Sequence, residues 1–123
     1  MFLNIEVKRN HVNKDPAIQL AAWIAAEFRK RQLEGWPLSM PVFAVEIQTD
    51  AWLLHVVTAE ETPKKPDEFN MFFLGPLRLG DTYSIDDTKR LFDNLCDIAL
   101  WGQNEYRLWF EKEILSQYDE CAD

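Results

Sequence analysis

Residues 2–8, Phe-Leu-Asn-Ile-Glu-Val-Lys, alternate as only an extended chain can use. Successive side chains on a strand point to opposite faces. Leu3, Ile5 and Val7 therefore share one face, and Phe2, Asn4, Glu6 and Lys8 share the other. The run demands a sheet to sit in. It also sets a carboxylate beside an ammonium, Glu6 and Lys8, on a strand whose other side is apolar. Such a pair is either a solvent-facing ion pair or a piece of a reactive site.

The next segment changes period. A polar stretch from Asn10 to Lys14 leads into Asp15-Pro16, an N-cap followed by a residue suited to the first helical position. Leu20, Ile24 and Phe28 then recur four apart, with Ala17, Ala21 and Ala25 beside them. That spacing predicts a helix from Pro16 to about Leu33, ended by Gly35, with small residues that let it approach a sheet closely.

Residues 42–47 and 51–57 are apolar runs joined by Gln48-Thr49-Asp50, the pattern of a hairpin. Glu60–Glu68 is rich in charge, Pro and Thr, and reads as an exposed loop. A short strand is expected over 70–74, punctuated by Gly75-Pro76 and Gly80-Asp81. Ser84 reads as the N-cap of a second helix, with Asp87 three residues on. Leu91, Leu95 and Ile98 form its stripe, with Phe92, Cys96 and Ala99 adjacent. Gly102 is expected to break or kink it. The order is β-α-β-β-β-α, a mixed sheet of the α/β (α+β) class with helices packed on it. Residues 1–118 read as one domain and 119–123 as a polar tail.

At 123 residues the chain is the size of one domain, and its five Trp and eight Phe can fill a substantial core. Thirteen Lys and Arg against 21 Asp and Glu give a net charge of −8. That disfavours non-specific adhesion to nucleic acid, which depends on neutralising phosphates. It still permits a local basic patch, whose candidates are Lys8, Arg9, Lys14, Arg29, Lys30 and Arg31. No apolar run reaches the roughly 18 residues that a membrane span needs, and no basic segment followed by an apolar stretch opens the chain. An intracellular location, cytoplasm or nucleus, is expected. Cys96 and Cys121 read as free thiols. His11 and His55 are isolated and read as structural or exposed.

Glu6 and Lys8, with Gln19 and Trp23 four apart on the following helix, are parts that metal-dependent phosphodiester cleavage uses. Carboxylates hold a hard divalent ion through oxygen. The ion polarises phosphate and activates water, and a lysine beside it stabilises developing charge. Alone, Glu-x-Lys is a weak signal. Its plain alternative is a surface ion pair worth little. Trp52, Trp101 and Trp109 read as core, and Asp86 and Asp87 as charges meeting a helix dipole. Glu46 stands out of phase with Phe43, Val45 and Ile47. It reads as solvent-facing, with a site acid contributed across strands as its alternative.

The pieces together resemble a known family. "IEVKR", "QLAAWIAAEFRKR", "PVFAVEIQTDAWLLHVV" and "FFLGPLRLGDTYSIDDTKRLFDNLCDIALWGQNEYRLWF" follow the order and spacing of the fungal PD-(D/E)XK nuclease-like domain. The Gln19-to-Trp23 helix, the Trp52 strand, the Gly80-Asp81-Thr82-x-Ser84 step and the Trp101, Tyr106, Trp109-Phe110 ending carry the likeness. The resemblance implies a restriction-endonuclease-like core. It implies Glu6 as a ligand for Mg²⁺ or Mn²⁺, Lys8 as the catalytic lysine and Gln19 as a residue orienting the site. Trp23 stands where related nucleases often carry Tyr.

The sequence departs from the family at its start. The family's domain ordinarily begins upstream, with an acidic helix and a hairpin bearing the Asp of the "PD" element. The resemblance is therefore expected to cover only the C-terminal part of that domain, lacking the N-terminal helix and first strands. A fragment, a short form that lost catalysis and kept a binding surface, or a site completed by another chain would each explain this. The expected function is a non-catalytic interaction or assembly module, a pseudoenzyme. The alternative is a Mg²⁺/Mn²⁺-dependent nuclease whose missing acid comes from another chain or an absent N-terminal segment. Because an exposed edge strand invites pairing, a homodimer or hetero-complex through the N-terminal strand is expected.

Overall fold

The computed structural model describes residues 2–8 and 16–119. Four strands form one sheet in the order β1-β2-β3-β4: β1 Leu3–Lys8, β2 Val42–Gln48, β3 Ala51–Thr62 and β4 Lys65–Asp81. β1 runs parallel to β2, and the other neighbours are antiparallel. A parallel neighbour needs a crossover, and helix α1 (Pro16–Leu33) supplies it. Helix α2 (Ile85–Trp101) follows β4. The Asp15 cap, the Asn10–Lys14 turn, His11 and Cys121 lie outside the described residues.

Each helix covers one face of the sheet. Leu20, Ile24 and Phe28 of α1 are fully buried against Val42, Ala44, Val57 and Ala59, with Leu38, Phe69 and Met71 completing the cluster. Leu91 and Ile98 of α2 pack on the opposite face against Val45, Leu54 and Leu79, with Phe43, Ile47, Trp52 and Val56 beside them. The expected stripe of α2 is thus buried at Leu91 and Ile98, while Phe92 and Cys96 are exposed. Helix α1 ends where Gly35 stands: the N–H groups of Gly35 and Trp36 donate to the Gln32 and Arg31 carbonyls at 3.2 and 2.7 Å. Ser84 caps α2, its Oγ accepting from the Asp87 N–H at 3.1 Å. No helix among the described residues is long and apolar enough to cross a membrane.

Two expectations need correction. Glu60–Glu68 is not an exposed loop: β3 and β4 extend through it and turn only at 63–64. Phe69 and Met71 draw β4 onto the α1 core, and Thr62 Oγ1 donates to the Lys65 and Glu68 carbonyls at 2.8 and 3.2 Å. The strand expected over 70–74 is part of the 17-residue β4, which absorbs Gly75-Pro76 at a register shift opposite Leu54 and Val56. As expected of a break or kink, the α-helical ladder of α2 gives way at Gly102, its C-cap. The backbone continues through a π-helical turn (Gly102–Tyr106), α3 (Arg107–Phe110), a second π-helical turn (Glu111–Leu115) and α4 (Ser116–Asp119).

Gly102 is also a point of close approach. A Cβ there would lie 2.5 Å from Cζ of Phe2. Phe2 in turn stacks obliquely on Trp101 and Tyr106, at centroid distances of 6.2 and 5.3 Å. Gly102→Ala is expected to push the Phe2 ring aside and cost about 1–3 kcal/mol, the usual range for overpacking. A urea titration measures it, and Phe2→Leu in the same background should recover part of the loss.

The junction of β4 with α2 carries an ion-pair network. Arg78 pairs with Asp81 and, at 3.1 Å, with Asp87. Burial alone would raise the Asp81 carboxyl. The Tyr83 N–H donating at 3.0 Å and the Arg78 guanidinium outweigh it, holding that carboxyl below its ordinary value of 3.8. A depressed acid stabilises the fold above its unfolded value, and that contribution vanishes as pH falls through the folded value. Urea midpoints measured from pH 5 down to pH 2 should therefore fall more steeply in the wild type than in Arg78→Gln, with the difference opening below about pH 4.

Candidate functional site

The parallel register of β1 and β2 builds the site. Glu6 lies opposite Glu46, Asn4 opposite Ala44 and Lys8 opposite Gln48. Neighbouring strands are about 4.8 Å apart, so paired residues share a face as immediate neighbours. That face is the one under α1, since Val42 and Ala44 of the same phase pack against Leu20, Ile24 and Phe28. Glu6 is half-buried there. The backbone sets Lys8 two residues on, in the same phase; its side chain lies outside what the structure describes.

Glu46 is 5% exposed, which corrects its solvent-facing assignment. Its carboxylate is held at both oxygens. His55 Nε2, on β3, lies 2.8 Å from Oε1, and Gln48 Nε2 donates to Oε2 at 2.7 Å. A carboxylate in its ionised form only accepts hydrogen bonds, so it pairs with the His55 tautomer whose proton is on Nε2. Nδ1 is buried without a hydrogen-bond partner among the described residues. The Phe73 ring stands edge-on to the imidazole at 6.0 Å. His55 thus answers a buried carboxylate, which is costly to leave unpaired.

Gln19 is half-buried on the first turns of α1, and no hydrogen bond joins it to Glu6 or Glu46 among the described residues. Trp23 is 63% exposed and points away from the core that Leu20 and Ile24 fill. Trp52 and Trp101 pack as core, Trp101 at 4.5 Å from Phe43. Glu6, Glu46, Gln48 and His55 are therefore the cluster that the fold assembles.

The Mg²⁺ or Mn²⁺ that the resemblance implies can be tested against this donor set. A divalent ion of this kind takes several oxygen ligands with free lone pairs. The cluster offers two carboxylates, and the better buried one accepts a hydrogen bond at each oxygen, from an imidazole and an amide, which leaves one lone pair on each. No group of three His, Cys, Asp or Glu side chains among the described residues is placed to hold a metal ion. Among the described residues, the protein by itself offers too few oxygens to fill the shell of such an ion.

Sequence reasoning singled out Glu46 but pointed it the wrong way, and it missed Gln48 and His55. A signal was present. Val42 and Ala44 are in phase with Glu46, so an acid on that side had to lie under whatever covers them.

A protein-family model, the PD-(D/E)XK nuclease superfamily, matches residues 1–107. No curated protein and no solved structure matches the chain. The mixed four-stranded sheet with helices is consistent with a restriction-endonuclease-like fold. The chain belongs to the PD-(D/E)XK nuclease superfamily.

Proposed function

We propose that this PD-(D/E)XK domain is a non-catalytic interaction and assembly module that works through the outer edge of β1. The observation that carries the reading is the state of that strand. β1 ends the sheet among the described residues, and Ile5 and Val7 are 43% and 55% exposed on it. Edge strands with exposed apolar residues are templates for strand addition.

The partner that β1 suits is a second copy of itself. The Phe2 carbonyl accepts from the Phe43 N–H at 2.7 Å, so Phe2, Asn4 and Glu6 turn their backbone groups toward β2. Those of Leu3, Ile5 and Val7 turn outward. Antiparallel pairing about a twofold axis at Ile5 sets Leu3 opposite Val7 and Ile5 opposite its own copy. Asn4 meets Glu6 on the other face. Centring the pair on Glu6 instead would oppose two carboxylates, which is unfavourable. The contact is isologous, as cyclic dimers require. A net charge of −8 on each copy opposes association, so salt should strengthen the dimer.

Sedimentation equilibrium tests this. Concentration-dependent dimerisation that Ile5→Lys abolishes supports the reading, as does a rise in affinity with salt. A monomer at high concentration in both proteins contradicts it. A free, exposed Cys96 suits a reducing compartment, in line with an intracellular setting in cytoplasm or nucleus.

One observation favours a second reading, Mg²⁺/Mn²⁺-dependent phosphodiester hydrolysis: Glu6 and Glu46 are paired in register on adjacent strands. It needs a further acid from another chain or a preceding segment. Metal-dependent cleavage of DNA or RNA that is lost in Glu6→Ala would support it.

A further inference from the structure

Helix α2 is apolar on two opposite faces, and the sheet answers only one of them. Leu91 and Ile98 are buried against Val45, Leu54 and Leu79. On the far side Phe92, Cys96 and Leu100 follow one another at four-residue spacing, with Ile85 seven residues before Phe92. Those intervals set one side chain above the next along a helix. Ile85, Phe92 and Leu100 are 76%, 66% and 53% exposed, and Cys96 is exposed with them. Lys89, between Ile85 and Phe92, can lay its stem along the stripe and keep its ammonium in water. The ridge is about 22 Å long. An apolar face of a helix ordinarily lies against a neighbour.

A charged flank runs beside the ridge. Asp86, Asp93 and Asp97 each stand one residue after Ile85, Phe92 and Cys96, and so on the same side of them. None of the three carboxylates makes an ion pair among the described residues, whereas Asp87, turned toward β4, meets Arg78 and Arg90. The opposite flank, with Thr88 and Ala99, carries no charge.

We infer that the outer face of α2 docks an amphipathic helix of a partner protein, one whose apolar stripe is flanked by a row of Lys or Arg. A ridge with helical periodicity is covered by a second helix lying along it. A basic row on that helix meets the aspartates at the rim, where complementary charge sets orientation and partner choice. A second copy of this chain does not supply it. Antiparallel self-pairing of α2 opposes the two aspartate rows, and parallel self-pairing sets each beside Thr88 and Ala99. An anionic membrane is repelled by the same row. The inference does not rest on the pairing of β1.

The probe is an acetylated, amidated synthetic peptide of about 18 residues, with Leu three and four apart on one face and Lys along one flank. A second peptide carries Glu in place of Lys. Fluorescence anisotropy of the labelled peptides measures binding. The Lys peptide should bind saturably and the Glu peptide should not. Phe92→Ala should weaken binding about 10-fold or more, the loss typical of a central aromatic anchor. Asp93→Asn with Asp97→Asn should weaken it about 3- to 10-fold and flatten its dependence on salt. Glu60→Gln with Glu61→Gln removes two equal charges from the exposed end of β3 and should change it by about 2-fold at most. All these positions are exposed, so the variants should keep the circular dichroism spectrum of the wild type.

No saturable binding of the Lys peptide overturns the inference. So does binding that Phe92→Ala leaves intact, or that the glutamate changes weaken as much as the aspartate changes do. Cys96 reports on the ridge directly. With the peptide at about ten times its dissociation constant, a thiol reagent should modify Cys96 about 10-fold more slowly in Cys121→Ser. An unchanged rate places the peptide elsewhere and overturns the inference. A dimer lost in Phe92→Ala and kept in Ile5→Lys would give this face to a second copy, which overturns it together with β1 pairing. The converse pattern leaves both standing.

Discussion

Replacing Arg31 by alanine is expected to lower the unfolding free energy by about 3–5 kcal/mol, the cost of breaking a buried charge pair from one side. Arg31 is fully buried near the end of α1. Its Nη1 donates to the Met40 carbonyl at 2.5 Å, and its Nε lies 3.5 Å from Glu27. The guanidinium packs over Phe28 at 4.9 Å and over Trp109 at 5.1 Å. It thereby ties α1 and the segment before β2 to the C-terminal helical turns. Burial pushes the Arg31 pKa down, and Glu27 and Tyr106 pull it back, so the charge is retained at a cost that those partners offset. Burial likewise raises the Tyr106 hydroxyl, with Arg31 opposing. Urea unfolding of the wild type, Arg31→Ala and Arg31→Met provides the check. Methionine restores contact with the two rings but donates nothing to Met40 or Glu27, so it should fall between the other two. A loss below 1 kcal/mol in Arg31→Ala would contradict this role.

The second large effect is expected at Gly80. Its φ of +145° is a backbone conformation that other residues adopt only with strain. There is no room for a side chain either. A Cβ would lie 2.8 Å from the Asp87 carbonyl oxygen and 3.0 Å from the Leu91 amide nitrogen, and neither backbone group can swing away. Gly80 is where the first turns of α2 settle on β4, one residue before the Asp81 that Arg78 holds. Gly80→Ala combines backbone strain with overpacking, for a combined cost of about 2–5 kcal/mol. A fall in melting temperature of about 10 °C or more is expected. An unchanged melting temperature would mean that α2 is free to shift outward.

Much of this architecture is legible in the sequence because local signals and packing agree. The alternation of residues 3–8, the four-residue spacing of Leu20, Ile24 and Phe28, and the Ser84 cap each describe an element that the fold keeps. The pairing of 42–48 with 51–57 follows from two apolar runs separated by a turn. Misreadings arise where tertiary contact overrides composition. Residues 60–68 look like a loop because most of their side chains are polar. They extend β3 and β4 because the ladder satisfies their backbone and Phe69 anchors the far strand on Phe28, with ring centroids 6.1 Å apart. Gly102 looks like a breaker because glycine is a poor helix former. The α-helical ladder does change there, into a π-helical turn, and the missing Cβ leaves room for Phe2, which is remote in sequence.

The site follows the same division. Glu6 and Lys8 are visible as a spacing within one strand. The partnership of Glu46 with His55 and Gln48 depends on the register of two further strands and on α1 covering their common face, which no local pattern carries. The buried acid therefore looked exposed, and the histidine that answers it looked idle.

Sedimentation equilibrium over a wide concentration range, on the wild type and Ile5→Lys in parallel, tests the central claim most directly. The account predicts a dimer that forms with rising concentration, tightens with added salt and is lost in Ile5→Lys. At a concentration where the wild type is monomeric, Ile5→Lys should unfold at nearly the same temperature, because residue 5 lies on an exposed edge. A wild type that remains monomeric at every concentration and salt level would contradict it.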